Sequence, residues 1–323
     1  MRIFLMITHD PELRQYRNRE LVDRLRARDV RSLVLPPGQI VVSARSSRLT
    51  ALGPAGFPIE DALILNALYR ANLADLDLIR ILESAGHPVV NRADAWYVAS
   101  VKALTGARLA AAGLPHPPTL VSPGISQLLE TEAASFRGWV VAKPWSGAQP
   151  GQTRRYRSRQ AAPAYRRRRR RGQPALLQEF VPNPGRSIRT IVVGQEVIGA
   201  CYVIARKPEW RPSAAPSART VRCEVTPPLE DLALAATRVV GLDIAGVDLI
   251  EGPDGLELLG LSAWPDYERY DRVVGMDVAG RIIDFLLSRH PLLPPSPQAL
   301  ASSRPSRSVS ASSRGPSCPP VGQ

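Results

Sequence analysis

Lys143 closes an apolar run, Trp139-Val140-Val141-Ala142, and is followed at once by Pro144. An ammonium in that place is badly set for solvent and well set for an anion, because a charge leaving water needs a counter-charge. Lys102 lies on an amphipathic stretch, 93–112, and taken alone reads as a solvated surface amine. Arg189, Arg206 and Arg211 fall on or just beyond two β-branched runs, 187–193 and 196–205. Cations alternating with apolar side chains on a strand either face water or line a site for negative charge. The cysteines Cys201, Cys223 and Cys318 and the histidines His9, His87, His116 and His290 have no metal-ligand spacing. Neither a zinc site nor a disulfide framework is expected, and the histidines receive no role.

The elements that must hold these side chains follow from pattern. The runs at 187–193 and 196–205, split by Gly194-Gln195, predict a hairpin. Residues 229–242 predict a helix with Leu232, Leu234, Ala235, Val239 and Val240 inward and Gly241 at its stop. A second hairpin is expected from 245–251 and 256–261 around Gly252-Pro253-Asp254-Gly255, giving a sheet with one covered face. Upstream, 2–8, 32–35 and 88–91 read as strands, with helices at 12–28 and 73–85 between them. That alternation argues for a small open α/β domain. A single helix over 93–112 leads on toward the buried strand that ends in Lys143.

With 323 residues the chain can hold two or three subdomains around a shared core, and 44% apolar residues is the composition of a globular protein. Its net charge is +13, but ten arginines fall between Arg154 and Arg171, which leaves +3 elsewhere. The basicity is local, not a whole-surface footprint for nucleic acid. Arg166 to Arg171 run unbroken, so the loop 154–172 reads either as solvated or as a patch for RNA or an acidic partner, with only Tyr156 and Tyr165 to stack on bases. Residues 1–8 are too short an apolar run for a signal peptide, and no run approaches the ~18 apolar residues of a membrane span. A cytoplasmic chain without a membrane partner is expected, with a disordered Pro/Ser/Ala-rich tail at 291–323.

Five words stand in order along the chain: Lys143-Pro144 followed by Gly147; Gln178-Glu179-Phe180-Val181; Ile188-Arg189 with Val192-Val193-Gly194; Glu209-Trp210-Arg211; and Gly241-Leu242-Asp243-Ile244-Ala245-Gly246-Val247-Asp248. With Asn91, Lys102, Gly113-Leu114-Pro115 and Pro118-Thr119 ahead of them, they resemble the ATP-grasp fold, and within it the RimK-like carboxylate-amine ligases, over residues 91–287. The resemblance implies an α/β (α+β) chain with a small open α/β domain at 1–90, a central ATP-grasp subdomain at 91–175, a C-terminal one at 176–290 and the tail 291–323. It implies ATP and Mg²⁺, with Lys102 and Lys143 on the phosphates, the Gly147 loop closing over them, and Gln178, Glu179, Phe180 and Val181 along the adenine edge. Ser187 stands where the ribose is held. Arg189 and Arg211 would neutralise charge as a phosphoryl group moves, and Asp248 with Ser262 is left to hold metal. The implied reaction joins a small-molecule or peptide carboxylate to an amino-acid amine through an acyl phosphate, with no protein nucleophile.

The sequence departs from that pattern in places that matter. Pro150 and Gln152 replace glycines of the phosphate loop, and Pro150 carries no N–H to donate. Ser187 replaces an acid, while Gly260 and Ser262 replace a glutamate and an asparagine that complete the metal site. Glu257 is not expected to stand in for Gly260, since an offset of three in a strand of period two points the side chain away; Glu251 bears the same relation to Asp248. Mg²⁺ can be held by one or two carboxylates with phosphates and waters, so a weakened metal site is expected. Two readings follow: a ligase with impaired activity, and a silent ATP-grasp scaffold that binds nucleotide, partner or RNA.

Overall fold

β1 (Ile3–Ile7) is buried along its whole length, as a strand covered on both faces must be. The computed structural model describes residues 3–46, 48–124, 127–146, 153–161, 174–206, 210 and 218–290. After α1 (Asp10–Leu13) and α2 (Tyr16–Ala27) come β2 (Ser32–Leu35), a meander of β3 (Val41–Arg45), β4 (Arg48–Leu52) and β5 (Pro58–Ile59), then β6 (Ala62–Asn66), α3 (Leu73–Ser84) and β7 (Val89–Val90). β2, β1, β6 and β7 form a parallel sheet in that order, an open α/β arrangement. The meander and β6 are not among the expected elements. A short, wholly apolar run such as β6 has no period that separates a strand from a buried helix.

The single helix expected over 93–112 is two. α4 (Ala93–Ser100) and α5 (Lys102–Ala111) meet at Val101, which is extended at φ −105° and ψ 98°. Val101 bridges to Ser146, and the Lys102 amide donates to the Trp145 carbonyl at 3.0 Å. The chain leaving Lys143 therefore pairs with the break, and Lys102 begins a helix instead of riding in the middle of one.

β8 (Thr119–Ser122), α6 (Gln127–Ser135), β9 (Trp139–Ala142), β10 (Arg154–Arg157) and β11 (Ala175–Glu179) follow, and the strands make an antiparallel sheet of order β10-β9-β11-β8. The arginine-rich segment thus opens as a strand, not as loop. Tyr156 packs with Val140, Leu177 and the α6 residue Leu129, so alternation sends Arg155 and Arg157 to the opposite face. Gly147, Pro150, Arg166 to Arg171, Arg211 and residues 291–323 lie outside the described residues.

A second antiparallel sheet has the order β14-β13-β12-β15-β16, built from β12 (Arg186–Val193), β13 (Glu196–Ile204), β14 (Arg219–Cys223), β15 (Ile244–Gly252) and β16 (Gly255–Ser262). Both expected hairpins are present. α7 (Pro227–Val240) covers one face and ends at Gly241, left-handed at φ 85°. Its buried side is Leu229, Ala233, Ala236, Thr237 and Val240, so of the five residues expected inward only Val240 is buried. Alanines let the helix approach the sheet, and Leu232 and Leu234 splay to its half-buried margins. α8 (Glu268–Val274) and α9 (Val278–Arg289) finish the described fold, with the Asp277 side chain capping α9 through the Gly280 amide at 2.9 Å. Trp264, Tyr267, Tyr270 and Ile282 share one core with Phe4, Met6, Leu21 and Ile191. No helix among the described residues is long and apolar enough to cross a membrane.

Candidate active site

Two sheet faces carry the candidate chemistry. On the central sheet, Val140, Ala142 and Leu177 pack toward α6, so the neighbouring positions Val141, Lys143 and Gln178 take the opposite face. Register continues that row to Arg155 on one side and Thr119 on the other. On the second sheet, Ile188, Val192, Val247, Leu249 and Leu258 pack toward α7, which sends Arg189, Asp248 and Gly260 the other way. Arg189 and Asp248 are cross-strand neighbours and form a bidentate pair, Nε to Oδ1 at 2.8 Å and Nη2 to Oδ2 at 3.1 Å. That fork geometry fixes both side chains, though about a third of each remains exposed (35% and 31%).

Electrostatics join the two faces. Burial first, and the Lys102 charge after it, push the Lys143 amine down to about 8, with Asp248 partly opposing them. Burial likewise lowers Lys102, again opposed by Asp248. Arg189 is raised, first by the Asp248 charge. Lys102, Lys143 and Arg189 thus all feel the one carboxylate of Asp248, to which Arg189 is bonded, an arrangement with a surplus of positive charge. Lys143 also donates through Nζ to Gln178 Oε1, and Gln178 Nε2 lies 2.9 Å from Thr119 Oγ1 and 3.3 Å from His116 Nε2.

The hinge lies at the C-terminal end of β11, directly after Gln178. The Glu179 amide donates to the Pro118 carbonyl at 2.8 Å and the Phe180 amide to the Trp139 carbonyl at 2.9 Å, which anchors the strand as it leaves the sheet. Val181 is buried, and its carbonyl accepts from Asn183 Nδ2 at 2.9 Å. Phe180 meets Trp210 edge to face at 6.0 Å, and the Arg155 guanidinium lies 4.6 to 5.1 Å from the ring centres of Trp139, Phe180 and Trp210. Ser187 is buried opposite Val203, and Ser262 is half-buried opposite Gly246.

Lys102, Lys143, Arg189 and Asp248 are therefore coupled through their charges and Gln178 is bonded to Lys143, while Glu179, Phe180 and Val181 form the hinge and Ser187 lies buried on β12. Arg206 lies past the end of β13 and is exposed, so of the two readings it takes the solvated one. Glu257 does not face away from Asp248. The register slips after Asp248, which pairs with Gly260 while Leu249 pairs with Leu258, so Leu259 is an extra bulge residue. Beyond that bulge Glu257 opposes Ile250 and shares the face of Asp248, against the period-two expectation. It stands about 7 Å further along, two residues of strand rise, and its carboxyl is raised by burial and by Asp254 and Glu179. Glu257 belongs to the hinge end, and the place opposite Asp248 belongs to Gly260. Glu251 does face away, paired with Arg186 at 2.6 Å. His116 and Arg155 carry no motif of their own, and what they touch is visible only once the strands are registered.

The donors present suit a polyanion better than a free divalent ion. No group of three or more His, Cys, Asp or Glu side chains among the described residues is arranged to hold a metal. A lysine closing a strand of one sheet, a second lysine opening the adjoining helix and an arginine–carboxylate pair on another sheet fit the architecture of ATP-grasp enzymes, which activate carboxylates with ATP. A family model described as a RimK-like ATP-grasp domain matches residues 101–286, and the chain belongs to that family. It is 28% identical over 285 residues to the tetrahydromethanopterin:alpha-L-glutamate ligase of Methanococcus maripaludis, covering 86% of this chain and 96% of the relative. It is 31% identical over 235 residues to the enzyme of the same name from Methanosarcina acetivorans, 66% and 71% of the two chains. In fold it is similar to a RimK domain ATP-grasp protein from Sphaerobacter thermophilus, with TM-score 0.64, 24% identity and 89% and 100% of the two chains covered. A RiPP-associated ATP-grasp ligase from Chryseobacterium gregarium, solved with ADP and a leader and core peptide, gives TM-score 0.70 at 15% identity over 90% and 98%. The comparisons give the silent-scaffold reading no support.

Proposed function

We propose that this chain uses ATP to activate a carboxylate as an acyl phosphate, which an amino-acid amine then attacks to form an amide. The observation that carries the reading is that Lys143 at the end of β9 and Lys102 at the start of α5 both feel the charge of Asp248, which is paired with Arg189 on the second sheet. In this reading Lys102 and Lys143 receive the phosphates, and Glu179, Phe180 and Val181 offer the hinge edge to adenine, with Gln178 at the start of that edge. Arg189, with Arg211, compensates the charge that builds as the phosphoryl group moves. Ser187 contributes a hydroxyl where a charged acceptor would grip the ribose harder, and Gly147 would lie over the phosphates.

Mg²⁺, when bound, would screen the phosphates. Of this chain's groups, Asp248 would hold it, with Ser262 on the next strand as a neutral oxygen. Asp248 already carries Arg189, and Gly260 opposite it brings no carboxylate. We therefore assign a weakened metal site, dependent on phosphate and water ligands. The relatives' names supply L-glutamate as one substrate, and its α-amine is the group with the right chemistry to attack an acyl phosphate. The acid is a small-molecule or peptide carboxylate.

ADP release by the purified chain, measured with ATP, Mg²⁺, L-glutamate and a panel of carboxylates, tests the proposal. Release that depends on both acid and amine is expected, with half-saturation in millimolar Mg²⁺. No acid-dependent release, or full activity at micromolar Mg²⁺, would overturn the ligase reading and the weakened-site reading respectively.

A further inference from the structure

We propose that His116 is a positioning residue for Lys143, acting through Gln178, and that it ties the two lysine-bearing elements into one unit. The inference rests on the reading above in which Lys143 meets the nucleotide phosphates. Gln178 Oε1 accepts from Lys143 Nζ, so Gln178 Nε2, which can only donate, is left to face Thr119 Oγ1 at 2.9 Å and His116 Nε2 at 3.3 Å. Gln178 is 4% exposed, so its neighbours rather than water decide which way its amide points. With His116 Nε2 as the acceptor, the ring is neutral and carries its proton on Nδ1. A proton on Nε2 would set donor against donor, and flipping the amide would turn its NH₂ group onto the Lys143 ammonium.

The surroundings favour that neutral ring. Burial and the Lys143 charge hold His116 down to about 4. The charged groups nearest are Lys143 itself and, acting on Lys143, Lys102 and Asp248. The ring also rests against α5: a Cβ added at Gly106 would meet His116 Nε2 at 3.0 Å and Cε1 at 3.2 Å. Lys102 precedes Gly106 by four residues and lies about one turn away on the same helical face. His116 therefore abuts the helix face that carries one lysine and orients the amide that holds the other. Prolines on both sides, Pro115 and Pro117, restrict the backbone that presents the ring.

The test is a double-mutant cycle on the full chain, reading ATP affinity by calorimetry together with KM and kcat for ATP, each variant checked by thermal melting. His116→Phe keeps a ring and removes the acceptor; it is expected to weaken ATP binding about tenfold and to raise KM more than it lowers kcat. His116→Gln can present Oε1 to Gln178 and is expected to recover affinity to within about threefold of wild type. In a Lys143→Met background His116→Phe should add nothing, because the amine it positions is gone. No effect of His116→Phe, or an effect that persists undiminished in Lys143→Met, overturns the positioning role. If Lys143→Met itself leaves ATP affinity intact, the phosphate reading fails first, and the role of His116 with it. Should His116→Phe melt non-cooperatively, His116→Leu replaces it in the same cycle, with the same loss expected in wild type and none in Lys143→Met.

Discussion

At the scale of single residues, the site is governed by how few acids face how many cations. Lys143 supplies a pH prediction. Its amine is held at about 8 in the fold against 10.5 as a free side chain, so between those values the unfolded chain holds a proton that the folded chain has released. The cost of burying the ammonium is thus present in full below pH 8 and relieved as pH rises toward 10.5. Phosphate binding favours the charged amine, so ATP affinity should be flat below pH 8 and fall by up to about tenfold per pH unit above it, with proton uptake on binding. Calorimetry in buffers of different ionisation enthalpy checks this, and Lys143→Met should abolish the slope. The metal end gives a second prediction. Nothing lies within 4 Å of a Cβ built on Gly260, so Gly260→Glu with Ser262→Asn has room to add donors beside Asp248. The double variant is expected to lower half-saturating Mg²⁺ about tenfold or more, measured as Mg²⁺-dependent ATP binding. Lys143 was legible in the sequence because a charge closing an apolar strand is conspicuous; His116 was not, because its meaning depends on Gln178, 62 residues away.

At the scale of elements, turns and hairpins were legible and faces were less so. The glycine at Gly194 announces the turn between β12 and β13, and it is left-handed at φ 64°. What the turn packs against could not be read: a Cβ there would meet Phe285 Cε2 at 2.5 Å, a residue of α9. Gly194→Ala is expected to cost about 2–3 kcal/mol, roughly 1 from the left-handed backbone and the rest from displacing Phe285. In a Phe285→Leu background the cost should fall to about 1 kcal/mol, a coupling that urea denaturation of the four chains would reveal. Full additivity would mean that the ring moves aside freely. The same limit explains α7 and β16. Hydrophobicity ranked Leu232 and Leu234 above the alanines that face the sheet, and strict alternation missed the bulge at Leu259 that turns Glu257 around. Close approach and register are properties of pairs of elements, and a single run of residues does not state them.

At the scale of the whole molecule, the N-terminal parallel sheet and the second antiparallel sheet are held in one frame by polar contacts that sequence places far apart. Trp264 Nε1 donates to Asn18 Oδ1 at 3.0 Å, Tyr267 Oη donates to the Arg17 carbonyl at 2.5 Å, and Arg24 pairs with Asp277 at 2.9 Å. Asn91 is the node. It is 1% exposed; its Nδ2 donates to the carbonyls of Ile244 at 2.7 Å and Ala263 at 2.8 Å, while its Oδ1 accepts from the amides of Asp243 at 2.8 Å and Ile244 at 3.0 Å. Every hydrogen-bonding position of the amide is used, on the stretch that leads into Asp248. Two substitutions separate hydrogen bonding from volume. Asn91→Leu strands two carbonyls and two amides and should cost about 3–4 kcal/mol. Asn91→Asp keeps the shape but sets a carboxylate oxygen against the Ile244 and Ala263 carbonyls in a buried place, so at pH 7 it should cost more than the leucine variant, about 4–5 kcal/mol. Burial and those carbonyls raise the introduced carboxyl's pKa. Its penalty is therefore full above that raised value and shrinks as pH falls below it and the group protonates. Urea denaturation at pH 7 and pH 5 checks both the ranking and its narrowing. An aspartate variant as stable as wild type at pH 7 would show that the two sheets do not depend on this node.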